Sequence, residues 1–182
     1  MNAIGALLAG GRSRRMGRDK ALLPVGDGTL LDYMLARLRA LPLAEIVVCR
    51  DAPGCLADLV PDLGPLGALH SLSLRYPGRM LLVVPVDMPL LGAPTLEKLL
   101  AGTDAEPRHY ADHPLPLRLA LTPNAVAAIA ARAAPDARDR SLAGLLRELG
   151  ATALPLPADL GEFANLNHPD DWAQMRPLLA RR

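Results

Sequence analysis

Arg12, Arg14, Arg15, Arg18 and Lys20 place five cations within nine residues, directly behind Gly10-Gly11. Glycines let the chain turn sharply and aim backbone N–H groups inward, so such a loop can hold phosphate oxygens while its cations neutralise them. It is not a Walker A loop, which needs Gly-x4-Gly-Lys-Ser/Thr, because Gly17 is followed by Arg18 and Asp19. The dinucleotide fingerprint Gly-x-Gly-x-x-Gly cannot be laid on it either. A solvated basic loop has the same composition. Its place immediately after a buried first strand favours a site for phosphates.

One carboxylate, Asp87, follows the apolar run Val83-Val84-Pro85-Val86. In open α/β sheets ligands bind outside the carboxyl ends of the strands, and Mg²⁺ takes one or two carboxylates plus substrate phosphates. Position alone suits a metal ligand and a turn-capping Asp equally. Asp62, in Pro61-Asp62-Leu63-Gly64-Pro65, is a second acidic candidate and reads at least as well as an ordinary turn residue. No nucleophile is evident: neither Cys49 nor Cys55 is flanked by an activating His, and no Ser-His pairing is legible. The histidines at 70, 109, 113 and 168 are scattered, with only His113 near a candidate site.

These residues need strand ends and helix starts to hold them. Short apolar runs alternate with longer amphipathic ones, the pattern of βα units around a mostly parallel sheet. Strands are expected at Ala3–Ala9, Glu45–Cys49, Met80–Val86 (the most apolar, hence central), Leu117–Leu121 and Ala151–Leu156. Helices are expected at Thr29–Ala40 with a Thr29/Asp32 capping box, Leu66–Leu74, Pro94–Ala101, Pro123–Ala133, Ser141–Leu149 ended by Gly150, and Asp170–Leu179 entered through Pro169. No linker divides them, so residues 1–182 read as a single domain.

Composition narrows the classes. Twenty Lys plus Arg against nineteen Asp plus Glu leave a net charge of +1, too even for a nucleic-acid binder held by a broad basic face. The five aromatics are too few for base-stacking platforms. The apolar start lacks a basic leader region, and no later apolar run approaches eighteen residues, so a cytoplasmic protein without a membrane partner is expected. Two reduced cysteines suit that setting.

Taken together, the chain resembles the molybdenum cofactor guanylyltransferases, within the wider set of nucleotide-triphosphate transferases. The family's opening Leu-Ala-Gly-Gly-x-Ser-x-Arg-Met-Gly-x-Asp-Lys is met by Leu8 through Lys20, with Arg15 in the motif's Arg place. Gly-Pro-Leu-(Gly/Ala)-Gly appears as Gly64-Pro65-Leu66-Gly67-Ala68, and Asp-Met-Pro as Asp87-Met88-Pro89. The closing Phe-x-Asn-x-Asn-(Thr)-Pro-Glu-Asp appears as Phe163 to Asp171. The motifs follow the family's order and cover nearly the whole chain.

The resemblance implies a three-layer, Rossmann-like nucleotidyltransferase fold with helices on both faces of a mostly parallel sheet. It implies transfer of GMP from GTP to the phosphate of molybdopterin cofactor, with Mg²⁺ and release of pyrophosphate. Leu8, Ala9, Gly10, Gly11 and Lys20 would line the nucleotide, Cys49 and Asp62 would stand on its base side, and Asp87 would carry the metal. Arg15, Lys20 and Asp87 would be catalytic, with Asn165 and Asn167 on the pterin side. Molybdoenzyme apo-proteins or their chaperones would receive the product.

Three departures from the family pattern stand out: Cys49-Arg50-Asp51 where the family tends to place a base-holding Asn, a short stretch between Cys55 and Asp62, and a compressed Gly102–Leu121. They keep other readings open. These are a cytidylyltransferase acting on the same cofactor and a catalytically weak member that carries the cofactor; a sugar-phosphate nucleotidyltransferase, which shares the Gly-Gly…Arg…Lys loop, ranks last.

Overall fold

The structure is a computed structural model that describes residues 3–10, 19–102 and 105–179. In chain order the elements are β1 (Ala3–Leu8), the two-residue strands β2 (Pro24–Val25) and β3 (Gly28–Thr29), α1 (Leu30–Arg39), β4 (Leu43–Cys49), α2 (Pro65–Arg75), β5 (Met80–Pro85) and α3 (Ala93–Leu100). Then come β6 (Arg108–Tyr110), β7 (His113–Ala120), α4 (Pro123–Ala133), α5 (Leu142–Glu148), β8 (Thr152–Leu154) and α6 (Pro169–Leu179). Six strands form one sheet in the order β4-β1-β5-β7-β6-β8. β1 pairs in parallel with both β4 and β5, and β6 with β8, while β7 runs antiparallel to β5 and β6.

Alternation along the inner strands assigns each side chain to one of two cores. Ile4 and Ala6 of β1, Leu81 and Val83 of β5, and Leu117 and Leu119 of β7 pack with α2, α4 and α5. Leu7 of β1 and Leu82 and Val84 of β5 face the other way, against α1, α3 and α6. A strand covered on both faces must be apolar at every position, as β5 is. The three layers agree with the expected fold.

Local signals set the helix ends. Thr29 and Asp32 form the expected capping box, the Thr29 side chain accepting from Asp32 N while the Asp32 carboxylate accepts from Thr29 N. Gly64, with φ +56°, precedes Pro65 at the first position of α2, a conformation that costs a side chain-bearing residue more than glycine. Ser141 caps α5 through Gly144 N.

The differences lie mainly in the second half of the sheet. The expected strand at Leu117–Leu121 is the longer β7, His113–Ala120, and its partner β6 carries no apolar alternation by which a sequence would show it. Residues 108–120 of the compressed segment therefore form a hairpin within the sheet, turning at Asp112 with φ +61°. β2 and β3 are likewise too short to leave a pattern. Among the described residues no helix is long and apolar enough to cross a membrane.

Candidate functional site

Sheet register brings three strand ends level. Leu8 lies opposite Cys49 of β4 on one side and Pro85 of β5 on the other. The Val86 N–H donates to the Leu8 carbonyl at 2.9 Å, and the Ala9 N–H donates to the Cys49 carbonyl at 3.0 Å. At Gly10 a Cβ would sit 3.4 Å from the Cys49 carbonyl oxygen and 3.5 Å from Arg50 Cα, so the exit from β1 runs tight against the end of β4. Leu8, Ala9 and Gly10 thus form the middle of a ledge at the carboxyl edge of the sheet, where an α/β ligand belongs.

Lys20, Asp87 and Asn167 meet beside it. The Lys20 ammonium donates to Asn167 Oδ1 at 3.0 Å and lies 3.4 Å from Asp87 Oδ2. Lys20 opens a 3-10 turn, Lys20–Leu22, whose Ala21 is fully buried, as is Leu23 behind it. Asp87 follows β5 by two residues and keeps its carboxylate partly exposed.

Asn167 comes from the far end of the chain, seated by apolar neighbours. Phe163 and Leu166 are buried, and the Leu166 N–H donates to the Asp87 carbonyl at 2.8 Å. Phe163 meets Tyr110 edge-on at 5.2 Å between ring centres, with His113 at 4.5 Å on another side. Asn165, between those anchors, and Asn167, just beyond them, are exposed. The Asp171 carboxylate accepts from Asn167 N at 2.8 Å and His168 N at 2.7 Å, and these bonds hold it below the ordinary aspartate value.

The remaining expected residues fall in three places. Gly11 and Arg15, with the neighbouring loop cations, lie outside the described residues. Asp62 is exposed on the turn leading into α2, with φ +63°. Cys49 is a correction. Its thiol is buried among Ile4, Ala6, Leu66 and Leu69, so that position offers a base no side-chain contact. Burial, followed by the charges of Asp58 and Cys55, pushes the thiol pKa up to about 12. Both cysteines are free.

Three participants went unrecognised as such in the sequence. Asp19 stood in the sequence only as the Asp of the opening motif and as a break in the Walker pattern, with no role of its own, yet its Oδ1 accepts from Ala21 N at 2.9 Å and its Oδ2 accepts from the Arg50 guanidinium at 2.7 Å. Asp171 stands three residues after His168, a capping spacing that could have been read. Arg50 stood out only within the Cys49-Arg50-Asp51 departure, and its pairing left no signal because its partner lies thirty-one positions away.

Among the described residues no group of three or more His, Cys, Asp or Glu side chains could enclose a metal ion. A single partly exposed carboxylate suits instead a cation that substrate phosphates complete, the habit of Mg²⁺.

Comparison with known proteins gives the family. Residues 5–152 match the family model described as the MobA-like NTP transferase domain. A molybdenum cofactor guanylyltransferase of Xanthomonas euvesicatoria pv. vesicatoria is 41% identical over 175 residues, 94% of this chain and 93% of that protein. One of Rhodobacter capsulatus is 31% identical over 189 residues, covering 96% of this chain and 95% of its own. The crystal structure of molybdopterin-guanine dinucleotide biosynthesis protein A from Archaeoglobus fulgidus superposes with a TM-score of 0.78 at 20% identity, over 98% of this chain and all of that one.

Proposed function

Since the chain belongs to the MobA-like NTP transferase family, we propose that it transfers GMP from GTP to the phosphate of molybdopterin cofactor, releasing pyrophosphate. The meeting of Lys20, Asp87 and Asn167 from three distant parts of the chain carries this reading at the residue level. In the reaction a phosphate oxygen of the acceptor bonds to the α-phosphorus of GTP as the bond to pyrophosphate breaks. Two polyanions must be held in contact, so the protein's task is positioning and charge neutralisation, and no side-chain nucleophile is required.

On this reading Leu8, Ala9, Gly10 and Gly11 cradle the nucleotide, and Lys20 with Arg15 balances phosphate charge. Asp62 stands on the base side, and Asn165 and Asn167 face the pterin substrate. Asp87 would hold Mg²⁺, which supplies further neutralisation of the phosphates when bound. The reading includes a single nucleotidyltransferase domain working in the cytoplasm, with molybdoenzyme apo-proteins or their chaperones taking the product.

CTP is a second candidate donor, kept open by Cys49-Arg50-Asp51 standing where the family tends to place a base-holding Asn. A thermal-shift panel of GTP, CTP, ATP and UTP, each with and without Mg²⁺, separates the two. At a hundred times its dissociation constant a ligand adds about 2.7 kcal/mol, plainly visible. A Mg²⁺-dependent shift with GTP alone, followed by pyrophosphate release on adding molybdopterin cofactor, is the expected result. A shift with CTP alone overturns the guanylyl assignment.

A further inference from the structure

The Lys20 ammonium sits against Asp87 and Asn167, and the structure shows what fixes it there. Asp19 is bonded in two directions, by one oxygen to the turn that carries Lys20 and by the other to Arg50. Arg50 itself is firmly anchored. Its N–H donates to the Leu56 carbonyl at 3.0 Å, the Leu56 N–H donates to the Val48 carbonyl at 2.9 Å, and its side chain is only 15% exposed. After the turn, buried Leu23 accepts from Leu30 N at 2.8 Å. The turn is thus pinned to the end of β4 on one side and to the core on the other.

We propose that the Asp19–Arg50 ion pair is a positioning device that ties Lys20 to the edge of the sheet and so sets its ammonium against Asp87 and the phosphates. This rests on the transferase reading above. Neither residue is assigned a contact with substrate; both act through Lys20. The pair lies at the margin of the fold, with Asp19 38% exposed and neither side chain wholly enclosed. Its loss should therefore displace the lysine without unfolding the protein. A displacement near 1 Å can cost up to about a hundredfold in rate.

The test is a cycle of Arg50→Ala, Lys20→Ala and the double variant, with pyrophosphate release and GTP affinity measured for each. We expect Arg50→Ala to lower turnover about tenfold with KM for GTP moved less than about threefold, Arg50→Lys to recover most of the loss, and the Arg50 effect to shrink below about twofold once Lys20 is gone. Equal losses in both backgrounds, or none in either, overturn the proposal. A crystal structure of Arg50→Ala, or of Asp19→Asn should the former not fold, decides the matter apart from activity. Movement of Nζ away from Asp87 and Asn167 supports the device, and an unmoved Nζ refutes it. If the wild-type chain releases no pyrophosphate, the transferase reading fails while the crystal structure still decides the positioning role.

Discussion

The residues at the carboxyl edge of the sheet divide by what burial has done to them. Lys20 and Asp87 stand 3.4 Å apart at a partly open surface. Replacing either by a neutral side chain should leave the fold intact and remove roughly 2–4 kcal/mol of transition-state stabilisation. Steady-state kinetics of Lys20→Ala and Asp87→Asn checks this, and a wild-type rate for Asp87→Asn with Mg²⁺ would remove Asp87 from the metal role. Cys49 has the opposite fate. With its pKa raised to about 12 it is a thiol at every working pH, and it is almost wholly enclosed. In native protein iodoacetamide should label half-buried Cys55 well before Cys49, as peptide mass spectrometry would show, and both should label alike in urea.

Among the elements, the extended closing segment has the most to do with so little regular structure. Phe163 and Leu166 dock it, the Leu166 N–H joins it to the Asp87 loop, and Asp171 ties its exit to the start of α6. The Asp171 carboxylate is held below the usual 3.8 because it accepts two backbone N–H bonds. A group with a depressed folded-state pKa contributes stability that is complete above its unfolded value and is lost as pH falls through the folded one. The stability gap between wild type and Asp171→Asn should therefore be constant from neutral pH down to about 5 and close below the usual 3.8, in thermal melts across pH. A gap that widened in acid would contradict the assignment. On the opposite flank, Glu162 caps α3 from outside by accepting from Gly92 N at 2.7 Å. The same segment thereby serves a second helix whose own N-cap, Gly92, has no side chain for the task.

The described residues form two apolar cores separated by a sheet, and the candidate site sits at one edge of that sheet. β5 serves both cores through alternate side chains, so truncation there should be felt globally and not at the site alone. Leu82→Ala, at a fully buried position, should cost about 2–5 kcal/mol in urea unfolding. Nucleotide-induced shifts should persist in whatever fraction remains folded, because Leu82 points into the core against the helices and away from the ledge at the strand ends.

Much of this protein was determined by local chemistry that sequence carries openly. The apolar run Met80–Val86 named the central strand because a strand covered on both faces has no polar position to show. Thr29 with Asp32, and Ser141, marked helix starts because caps act within three residues. The loop from Gly10 to Lys20 and the lone Asp87 were visible as chemistry for the same reason: each is a cluster or an exception within its own neighbourhood. What only the tertiary structure decided are the meetings between distant parts. Asn167 reaches Lys20 across 147 positions, and Arg50 reaches Asp19 across thirty-one. Cys49 turned inward because strand alternation pointed its side chain at α2 and so carried it out of the site. Contacts of this kind depend on strand order, register and facing, which the packing of the whole sheet selects and no short stretch of residues encodes.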